Sequence, residues 1–269
     1  MHKTLGGGRH SEGFLSHGPV KGGEPLVSKD RVAVWWLSLE DIHKDDLAKL
    51  EALLIDEELA RANLFHFERD RQIYVAAHGI CRGLLSYCLG QGAQSWRFSI
   101  EDHGKPELIC RPDGPKVRVN ISHTRGLAAV ALTLENDIGV DVEWRQRNAR
   151  VEDLAKRMFA ESERQLVQNA SDNEKQNVFL TFWTLKEAYV KAIGKGLSQP
   201  LDAFAFTLED LKISFRDPLA GEPTQWHFER YHPGPDHLMS LAVNHPNAAS
   251  LTVDAGPAPK DFLLDLARA

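Results

Sequence analysis

Residues 183–194 have the sequence Trp183-Thr184-Leu185-Lys186-Glu187-Ala188-Tyr189-Val190-Lys191-Ala192-Ile193-Gly194, which predicts an amphipathic helix that ends at a glycine. Trp183, Glu187 and Lys191 recur at helical spacing, so they lie along one stripe of this helix. The stripe places a carboxylate and an ammonium group beside large apolar side chains. The same spacing is typical of an exposed ion pair between Glu187 and Lys191, and this motif alone leaves both interpretations open.

A predicted strand upstream of the helix carries two more carboxylates. Side chains alternate between the two faces of a strand, so within residues 138–143 Asp141 and Glu143 share one face, while Val140 and Val142 share the other. Two neighbouring carboxylates repel unless a cation lies between them, and hard divalent cations prefer oxygen ligands. Glu187 is a candidate third ligand. The alternative is a strand edge with solvated acids, which a lone Asp-x-Glu pattern does not exclude.

The composition narrows the class of protein. The chain has 269 residues, of which 42% are hydrophobic, and this is enough for one large domain or two small ones. A formal net charge of −6 argues against nucleic-acid binding through overall charge. Three cysteines without CxxC spacing, together with the absence of a secretory leader or a membrane-spanning run, predict a cytoplasmic protein without a membrane anchor.

Element patterns divide the chain into four parts. We expect a flexible, glycine-rich tail at 1–30, an N-terminal half at 31–136, a C-terminal half with the metal-binding acids at 137–248, and a loosely docked C-terminal extension at 249–269. Regular structure is predicted to start at Val32. Each half has a strand followed by helices and then by further strands, so the element order indicates a duplication.

Helices and turns follow from the same patterns. The predicted helices are 43–64 and 70–89 in the first half, and 151–169 and 174–193 in the second. The turn signal Glu135-Asn136-Asp137 separates two β-rich runs. It predicts that Ala128–Leu134 and Ile138–Glu143 pair as a β-hairpin.

Further polar candidates lie outside the strand and the helix. Ser122 and His123 close a predicted strand, where a histidine can donate to a phosphate oxygen; the alternative is a turn in which Ser122 satisfies the local backbone. Lys105, within Gly104-Lys105-Pro106, is placed either to contact a diphosphate or in an ordinary surface turn. Arg61 follows Glu57 and Glu58 by one helical turn, a spacing that favours a solvated salt bridge.

Four of these motifs together resemble one enzyme family. In chain order they are Gly104-Lys105-Pro106, Asn120-Ile121-Ser122-His123, Gly139-Val140-Asp141-Val142-Glu143 and Trp183–Lys191. Their order and separation resemble the 4′-phosphopantetheinyl transferases of the Sfp-type, pseudo-dimeric branch, over the range from Arg61 to Leu208. Such enzymes transfer the 4′-phosphopantetheine arm of coenzyme A to a serine of an acyl or peptidyl carrier protein and release 3′,5′-adenosine bisphosphate.

The resemblance implies both a fold and a site. The fold would be α+β with two similar halves, each a small antiparallel sheet packed on a long helix, and with the cofactor cleft between them. Glu187 and Lys191 would be the catalytic residues, with Glu187 the base for the carrier serine and Lys191 a phosphate contact. The ligands of Mg²⁺, or alternatively Mn²⁺, would be Asp141, Glu143 and Glu187. The contacts to coenzyme A would be Arg61, Lys105, Ser122, His123, Asp141 and Lys191.

The resemblance also implies the partners. We expect coenzyme A and a carrier protein as substrates, no nucleic acid, no membrane, and a monomer with an internal pseudo-twofold. One alternative is a different coenzyme A-dependent transferase that moves an acyl group. Another is a noncatalytic protein that binds coenzyme A or a carrier, against which the presence of all three acids and Lys191 argues.

Overall fold

The structure, a computed structural model, describes residues 20–21, 24–100, 106–110, 114–146, 150–217 and 221–268. It is a mixed α+β fold, as the sequence predicts. Of the predicted tail, residues 1–19, 22 and 23 lie outside the described residues. Leu26 and Val27 are buried in the first core, so packed structure begins before the predicted start at Val32.

The first half of the chain contains a sheet and one long helix. A short hairpin, β1 (Val20–Lys21) and β2 (Glu24–Pro25), precedes β3 (Arg31–Ser38). The helices that follow are α1 (Lys44–Glu51), α2 (Asp56–Ala62) and α3 (Glu68–Leu89). The hairpin β4 (Phe98–Ile100) and β5 (Pro106–Leu108) then leads to β6 (Val117–Thr124) and β7 (Leu127–Leu134). Strand β7 lies between β3 and β6, and α3 packs on these strands.

The second half of the chain also contains a sheet and one long helix. Strand β8 (Ile138–Trp144) is followed by α4 (Val151–Met158), α5 (Glu161–Asn169) and α6 (Lys175–Ile193). The remaining strands are β9 (Phe204–Thr207), β10 (Lys212–Phe215), β11 (Trp226–Tyr231) and β12 (His237–Asn244). Strand β12 lies between β8 and β11, so the strand orders β3-β7-β6 and β8-β12-β11 have the same topology. Within the described ranges, no helix has the length and apolar character needed to cross a membrane.

The predicted hairpin between Ala128–Leu134 and Ile138–Glu143 is wrong. Strand β7 pairs with β6 along one edge and with β3 along the other, whereas β8 pairs with β12. Both edges of β7 are therefore occupied. The turn is real, with Glu135 at a φ of 66°, but it carries the chain from one sheet to the other.

The two sheets face each other across a shared apolar layer. Val140 and Val142 of β8 point into this layer, where they meet Val32 and Val34 of β3. Because side chains alternate along β8, Asp141 and Glu143 point to the opposite face, as predicted. That face lies against α6.

The C-terminal extension is firmly packed, which corrects the expectation of loose docking. Strand β13 (Thr252–Pro257) pairs in parallel with β3, and α7 (Lys260–Leu266) follows it. Leu263 is 1% exposed within the first core. A Cβ atom at Gly83 would lie 2.1 Å from Leu263 Cδ2, so α7 contacts α3 at a position that has no side chain.

Helix α3 carries a buried cation. Arg82 is fully buried, and its Nε donates to Glu58 Oε2 at 2.6 Å. Its Nη1 donates to the carbonyl oxygens of Ala93 and Trp96. Glu58 Oε2 also accepts from the main-chain N–H of Ile55, at the start of α2. Arg82 thus joins the long helix to the short helix before it and to the segment after it.

Helix α6 carries a matching buried cation. Lys186 Nζ lies 2.8 Å from Glu163 Oε2, and both side chains are fully buried. Lys186 also donates to the carbonyl oxygens of Leu201 and Phe204, each at 2.7 Å. Glu163 Oε2 accepts from the main-chain N–H of Ala160, at the start of α5. Lys186, like Arg82, is therefore paired with one buried glutamate and donates to two main-chain carbonyl oxygens.

Candidate active site

The site begins with a close contact between β8 and α6. A Cβ atom at Gly139 would lie 2.0 Å from the carbonyl oxygen of Ala188 and 2.6 Å from the nitrogen of Ala192. No side chain fits there, so the backbone of β8 lies directly against the backbone of α6. The two acidic residues that follow Gly139 on the same strand face are therefore held against the helix.

Asp141 contacts Lys191 at the centre of this interface. Lys191 Nζ lies 2.6 Å from Asp141 Oδ1 and also donates to the hydroxyl oxygen of Ser122 at 2.9 Å. The Ser122 hydroxyl donates to Asp141 Oδ1 at 3.2 Å. Asp141 is 5% exposed, so its charge is buried and paired with the ammonium group. The structure thus brings together three of the residues that the sequence singled out.

Glu187 lies one helical turn before Lys191 and close to Asp141. Burial raises the pKa of Glu187 above its ordinary value, and the negative charge of Asp141 raises it further, while Lys191 acts in the opposite direction. The effect of Asp141 on the pKa of Glu187 requires that the two carboxylates lie near each other. The exposed ion pair between Glu187 and Lys191 is not the arrangement found, since Lys191 is directed to Asp141.

Glu143 meets the same helix one turn further towards its N-terminus. Trp183 Nε1 donates to Glu143 Oε1 at 3.1 Å. Strand β8 and helix α6 therefore run antiparallel, with Asp141 facing Lys191 and Glu143 facing Trp183. Glu187 lies between these two contacts along the helix, because it is four residues, about one turn, from both Trp183 and Lys191.

Side chains rather than backbone atoms connect the two sheets beside the site. Asn120 Oδ1 accepts from the N–H of Val140 at 2.9 Å, and the Ser122 hydroxyl accepts from the N–H of Val142 at 3.2 Å. Asn120 and Ser122 belong to β6, at the edge of the first sheet, and Val140 and Val142 belong to β8, at the edge of the second. The position of Asp141 is thus fixed from the first half as well as from the second.

His123 lies in a mostly cationic environment next to this connection. Burial lowers the pKa of His123 below its ordinary value, and the positive charges of Lys191 and His78 lower it further, while Asp70 acts in the opposite direction. Lys191 comes from α6, and His78 and Asp70 come from α3. His123 therefore faces groups from both long helices.

Arg61, in the last turn of α2, acts through its charge on Tyr74 of α3. The ring of Tyr74 stacks on His78 with centroids 4.1 Å apart. Burial and then Glu58 raise the pKa of Tyr74 to about 12, whereas the charge of Arg61 acts to lower it. Glu58 itself is directed to Arg82 and His78. Lys105 lies outside the described residues.

The donor set fits a divalent cation. Asp141, Glu143 and Glu187 supply carboxylate oxygens, which hard cations prefer, and like charges close together favour a cation between them. In the part of the chain that the structure describes, no three His, Cys, Asp or Glu side chains are already gathered closely enough to hold a metal ion. The negative charge of Asp141 is compensated by the ammonium group of Lys191. The site thus has suitable atoms for a metal, in an arrangement in which lysine compensates the buried carboxylate.

Some residues of the site did not stand out in the sequence. His78 and Tyr74 belong to an amphipathic helix pattern, and only the packing of α3 beside β6 brings them near His123. Asn120 is part of a motif, but its contact with Val140 depends on how the two sheets meet.

Most of the chain, including β8 and α6, is similar in sequence to known proteins. A model of the 4′-phosphopantetheinyl transferase superfamily matches residues 137–242, which include β8 and α6. The 4′-phosphopantetheinyl transferase HetI of Nostoc sp. is 38% identical over 185 residues, which are 69% of this chain and 74% of HetI. The chain belongs to the 4′-phosphopantetheinyl transferases. As a member of this family, the transferase moves the phosphopantetheine group of coenzyme A to a serine of a carrier protein.

Other comparisons extend the similarity to both halves. The 4′-phosphopantetheinyl transferase Sfp of Bacillus subtilis is 27% identical to this transferase over 207 residues, which are 77% of this chain and 89% of Sfp. A crystal structure of a holo-[acyl-carrier-protein] synthase from Thermotoga maritima aligns with 40% of this chain and 62% of its own, at 23% sequence identity and a TM-score of 0.33.

Proposed function

We propose that the transferase catalyses its reaction with Glu187 as the base and Lys191 as the phosphate contact, in a site where Asp141, Glu143 and Glu187 hold Mg²⁺ or Mn²⁺. The observation that carries this proposal is the antiparallel contact of β8 and α6, which gathers these groups on one interface. When bound, the metal supplies positive charge against the negative charge that develops on the diphosphate oxygens.

In the proposed reaction, a serine hydroxyl displaces 3′,5′-adenosine bisphosphate from the phosphorus atom of coenzyme A that carries the pantetheine arm. The serine oxygen of the carrier attacks the phosphorus that bears the pantetheine arm, and the new O–P bond forms as the bond to the departing phosphate oxygen breaks. That oxygen leaves with the electron pair as part of 3′,5′-adenosine bisphosphate. The serine proton passes to Glu187, for which a raised pKa favours acceptance. The ammonium group of Lys191 donates to Ser122, Asp141 and the carbonyl oxygen of Val140 in this structure, so contact with the diphosphate, where charge accumulates, requires it to exchange one of these acceptors for a phosphate oxygen.

Coenzyme A is proposed to bind against the cationic groups of the first half. Arg61, His123 and Lys105 contact its phosphates, and Asp141 lies beside the diphosphate. The shared environment of His123, Lys191 and Arg61 around α3 supports this placement. Ser122 contributes by holding Lys191 and Asp141, because its hydroxyl is directed to both.

The proposal also covers the place of the cofactor cleft and the oligomeric state. We place the cofactor cleft between the halves 31–136 and 137–248 of a cytoplasmic monomer with an internal pseudo-twofold. The matching strand orders and the matching contacts of Arg82 and Lys186 support the two-half arrangement. Light scattering of the purified protein tests the monomer.

Intact-mass spectrometry of an apo carrier protein, incubated with coenzyme A and Mg²⁺, tests the chemistry. We expect the mass of one phosphopantetheine to be added by the wild type, and the rate to fall by about 10²- to 10⁴-fold in Glu187→Gln, since a general base is removed. Glu174→Gln is the matched control, because Glu174 is exposed at the start of the same helix. Removal of Mg²⁺ by a chelator tests the metal separately.

The outcomes discriminate between the alternatives. Gain of an acetyl group alone by the carrier, in a parallel incubation with acetyl-coenzyme A, would instead identify an acyl transferase. Binding of coenzyme A without any turnover would identify a noncatalytic protein. Full activity in Glu187→Gln would refute the role of Glu187 as the base.

A further inference from the structure

A cavity that is open to solvent on one side lies in the first half, between β3, α3 and β13. Its volume is about 180 Å³, and it shares no lining residue with the active site. The lining residues that matter here are Ala33, Trp35, Leu84, Tyr87, Cys88 and Gly256.

The position of this cavity corresponds to the position of the active site in the second half. Arg82 and Lys186 precede the left-handed glycines Gly90 and Gly194, which end their helices, by the same number of residues. Aligning α3 with α6 on these pairs matches Tyr87 with Lys191. The same alignment matches Leu84 and Cys88 with Ala188 and Ala192.

The strands correspond in the same way. Strands β3 and β8 end at Ser38 and Trp144, and in both the residues facing the shared apolar layer alternate with residues facing the long helix. Aligning the strand ends matches Trp35 with Asp141 and Ala33 with Gly139. The strand–helix interface that carries the acids in the second half therefore corresponds to the wall of the cavity in the first.

The chemistry of the two positions is opposite. Asp141 and Lys191 form an ion pair at 2.6 Å, whereas the rings of Trp35 and Tyr87 contact each other with centroids 5.1 Å apart. The position of Glu187 corresponds to Gly83, which has no side chain.

The C-terminal extension closes this interface. The absence of a side chain at Gly83 is what admits Leu263 of α7. Phe262 lies 4.9 Å from the ring of Tyr87, between centroids, and β13 covers the edge of β3.

What remains open is suited to an uncharged ring. Burial, with a smaller contribution from Asp254, raises the pKa of the Cys88 thiol to about 12, so the thiol is neutral. Asp254 at the rim is paired with Arg31 at 2.9 Å. The rings of Trp35 and Tyr87 line this opening, and an aromatic ring can pack against them edge to face or in an offset stack.

We propose that this cavity is a second, noncatalytic binding site that takes a small, planar, apolar molecule such as a single aromatic ring, at the place where the first half has lost the acids and the lysine of the active site. The proposed origin rests on the two-half arrangement above. The binding itself is measured without the transfer reaction, so its failure is distinguishable from failure of the proposed mechanism.

Fluorobenzene, observed by ¹⁹F NMR, is the probe. We expect saturable binding to the full chain in the millimolar range or tighter, unchanged by saturating coenzyme A. Gly256→Leu is expected to weaken binding at least about tenfold, because position 256 lies beside Trp35 and a Cβ atom there meets no heavy atom within 4 Å. Gly92→Leu is the matched control, since a Cβ atom there also meets nothing within 4 Å and Gly92 does not line the cavity.

A crystal soaked with bromobenzene locates the ring without any variant, and the proposal requires bromine density between β3, α3 and β13. The proposal is overturned if fluorobenzene shows no saturable binding, if Gly256→Leu binds it as well as the wild type does, or if coenzyme A displaces it.

Discussion

The hydroxyl of Ser122 has no hydrogen-bonding capacity left for a substrate. A serine hydroxyl has one donor and two acceptor positions. It donates to Asp141 and accepts from Lys191 and from the N–H of Val142. Ser122 is therefore a positioning residue, which acts on the reaction through the two charged groups that it holds.

Ser122→Ala is expected to lower kcat/KM by about 10- to 100-fold, because hydrogen bonds to charged groups contribute about 1.5–3 kcal/mol. The loss should appear mainly in kcat, with the KM for the carrier little changed. Ser214→Ala, an exposed serine of β10, is the control. Steady-state kinetics that gave the wild-type kcat for Ser122→Ala would contradict this role.

The environment of His123 predicts that coenzyme A binding depends on pH. Its pKa is lowered in the free protein, so the imidazole is neutral at neutral pH. A bound phosphate favours the imidazolium and raises the pKa of His123, so binding of coenzyme A takes up a proton there. Binding therefore tightens as the pH falls below the raised pKa of the complex, and levels off below the lowered pKa of the free protein. Calorimetry at pH 6.5 in buffers of different ionisation enthalpy should detect this uptake.

His123→Asn should reduce the proton uptake, and His232→Asn, at an exposed position, should retain it. Equal uptake by the wild type and His123→Asn would assign the proton to the coenzyme A phosphates or to another residue.

At the residue scale, the sequence predicted which face of β8 and which stripe of α6 carry the charged side chains. Alternation on a strand and i, i+4 spacing on a helix are local properties, so they can be inferred from the sequence. It did not predict that Lys191 would pair with Asp141, since that distance depends on Gly139 lying against Ala188. The nearness of His78 to His123 has the same explanation, because it requires α3 and β6 to pack together.

At the scale of elements, the two long helices are each fixed by one buried cation. All three hydrogens of the Lys186 ammonium group have acceptors, and two of these are backbone carbonyls of the segment that leads into β9. This fixes the rotation of α6 and therefore directs the next residue, Glu187, towards β8.

Lys186→Met is expected to lower the free energy of unfolding by about 3–5 kcal/mol, because it leaves Glu163 buried without its cation. The double variant Lys186→Met/Glu163→Gln should recover part of this loss. Lys212→Met is the control, since the Lys212 side chain is 76% exposed. Urea unfolding measures all three, and a Lys186→Met variant as stable as the control would contradict the argument.

The ends of α3 and α6 were predictable because glycine marks them, at Gly90 and Gly194. The predicted helical stretches 43–64 and 151–169 are each divided into two helices, and no glycine marks these breaks. Strand pairing was less predictable. The turn at Glu135 indicates where the chain reverses, but the free edges that decide the partner of β7 belong to β3 and β6, which lie elsewhere in the sequence.

At the scale of the whole molecule, the C-terminal extension packs on the first half of the chain. Strand β13 adds to β3, and α7 inserts Leu263 into the first core. The Ala- and Pro-rich composition of the extension predicted weak docking. The contact with Gly83 could not be predicted, because it depends on a gap in a distant helix.

Leu263→Ala is expected to lower the free energy of unfolding by about 2–5 kcal/mol, as for other buried leucines. Leu166→Ala is the matched control, because Leu166 is 51% exposed on α5. Urea unfolding monitored by Trp fluorescence measures both. Equal stability of the two variants would show that the extension contributes little to the first core.

The absence of a side chain at Gly139 has a consequence for protein engineering. It allows the main chains of β8 and α6 to approach until only a hydrogen atom separates them, and this spacing sets how far apart the carboxylates of the two elements lie. A design that copied only Asp141, Glu143 and Glu187 onto another strand–helix pair would hold the carboxylates of the strand further from the carboxylate of the helix than they lie here. The graft must include the glycine and the small residues Ala188 and Ala192 opposite it.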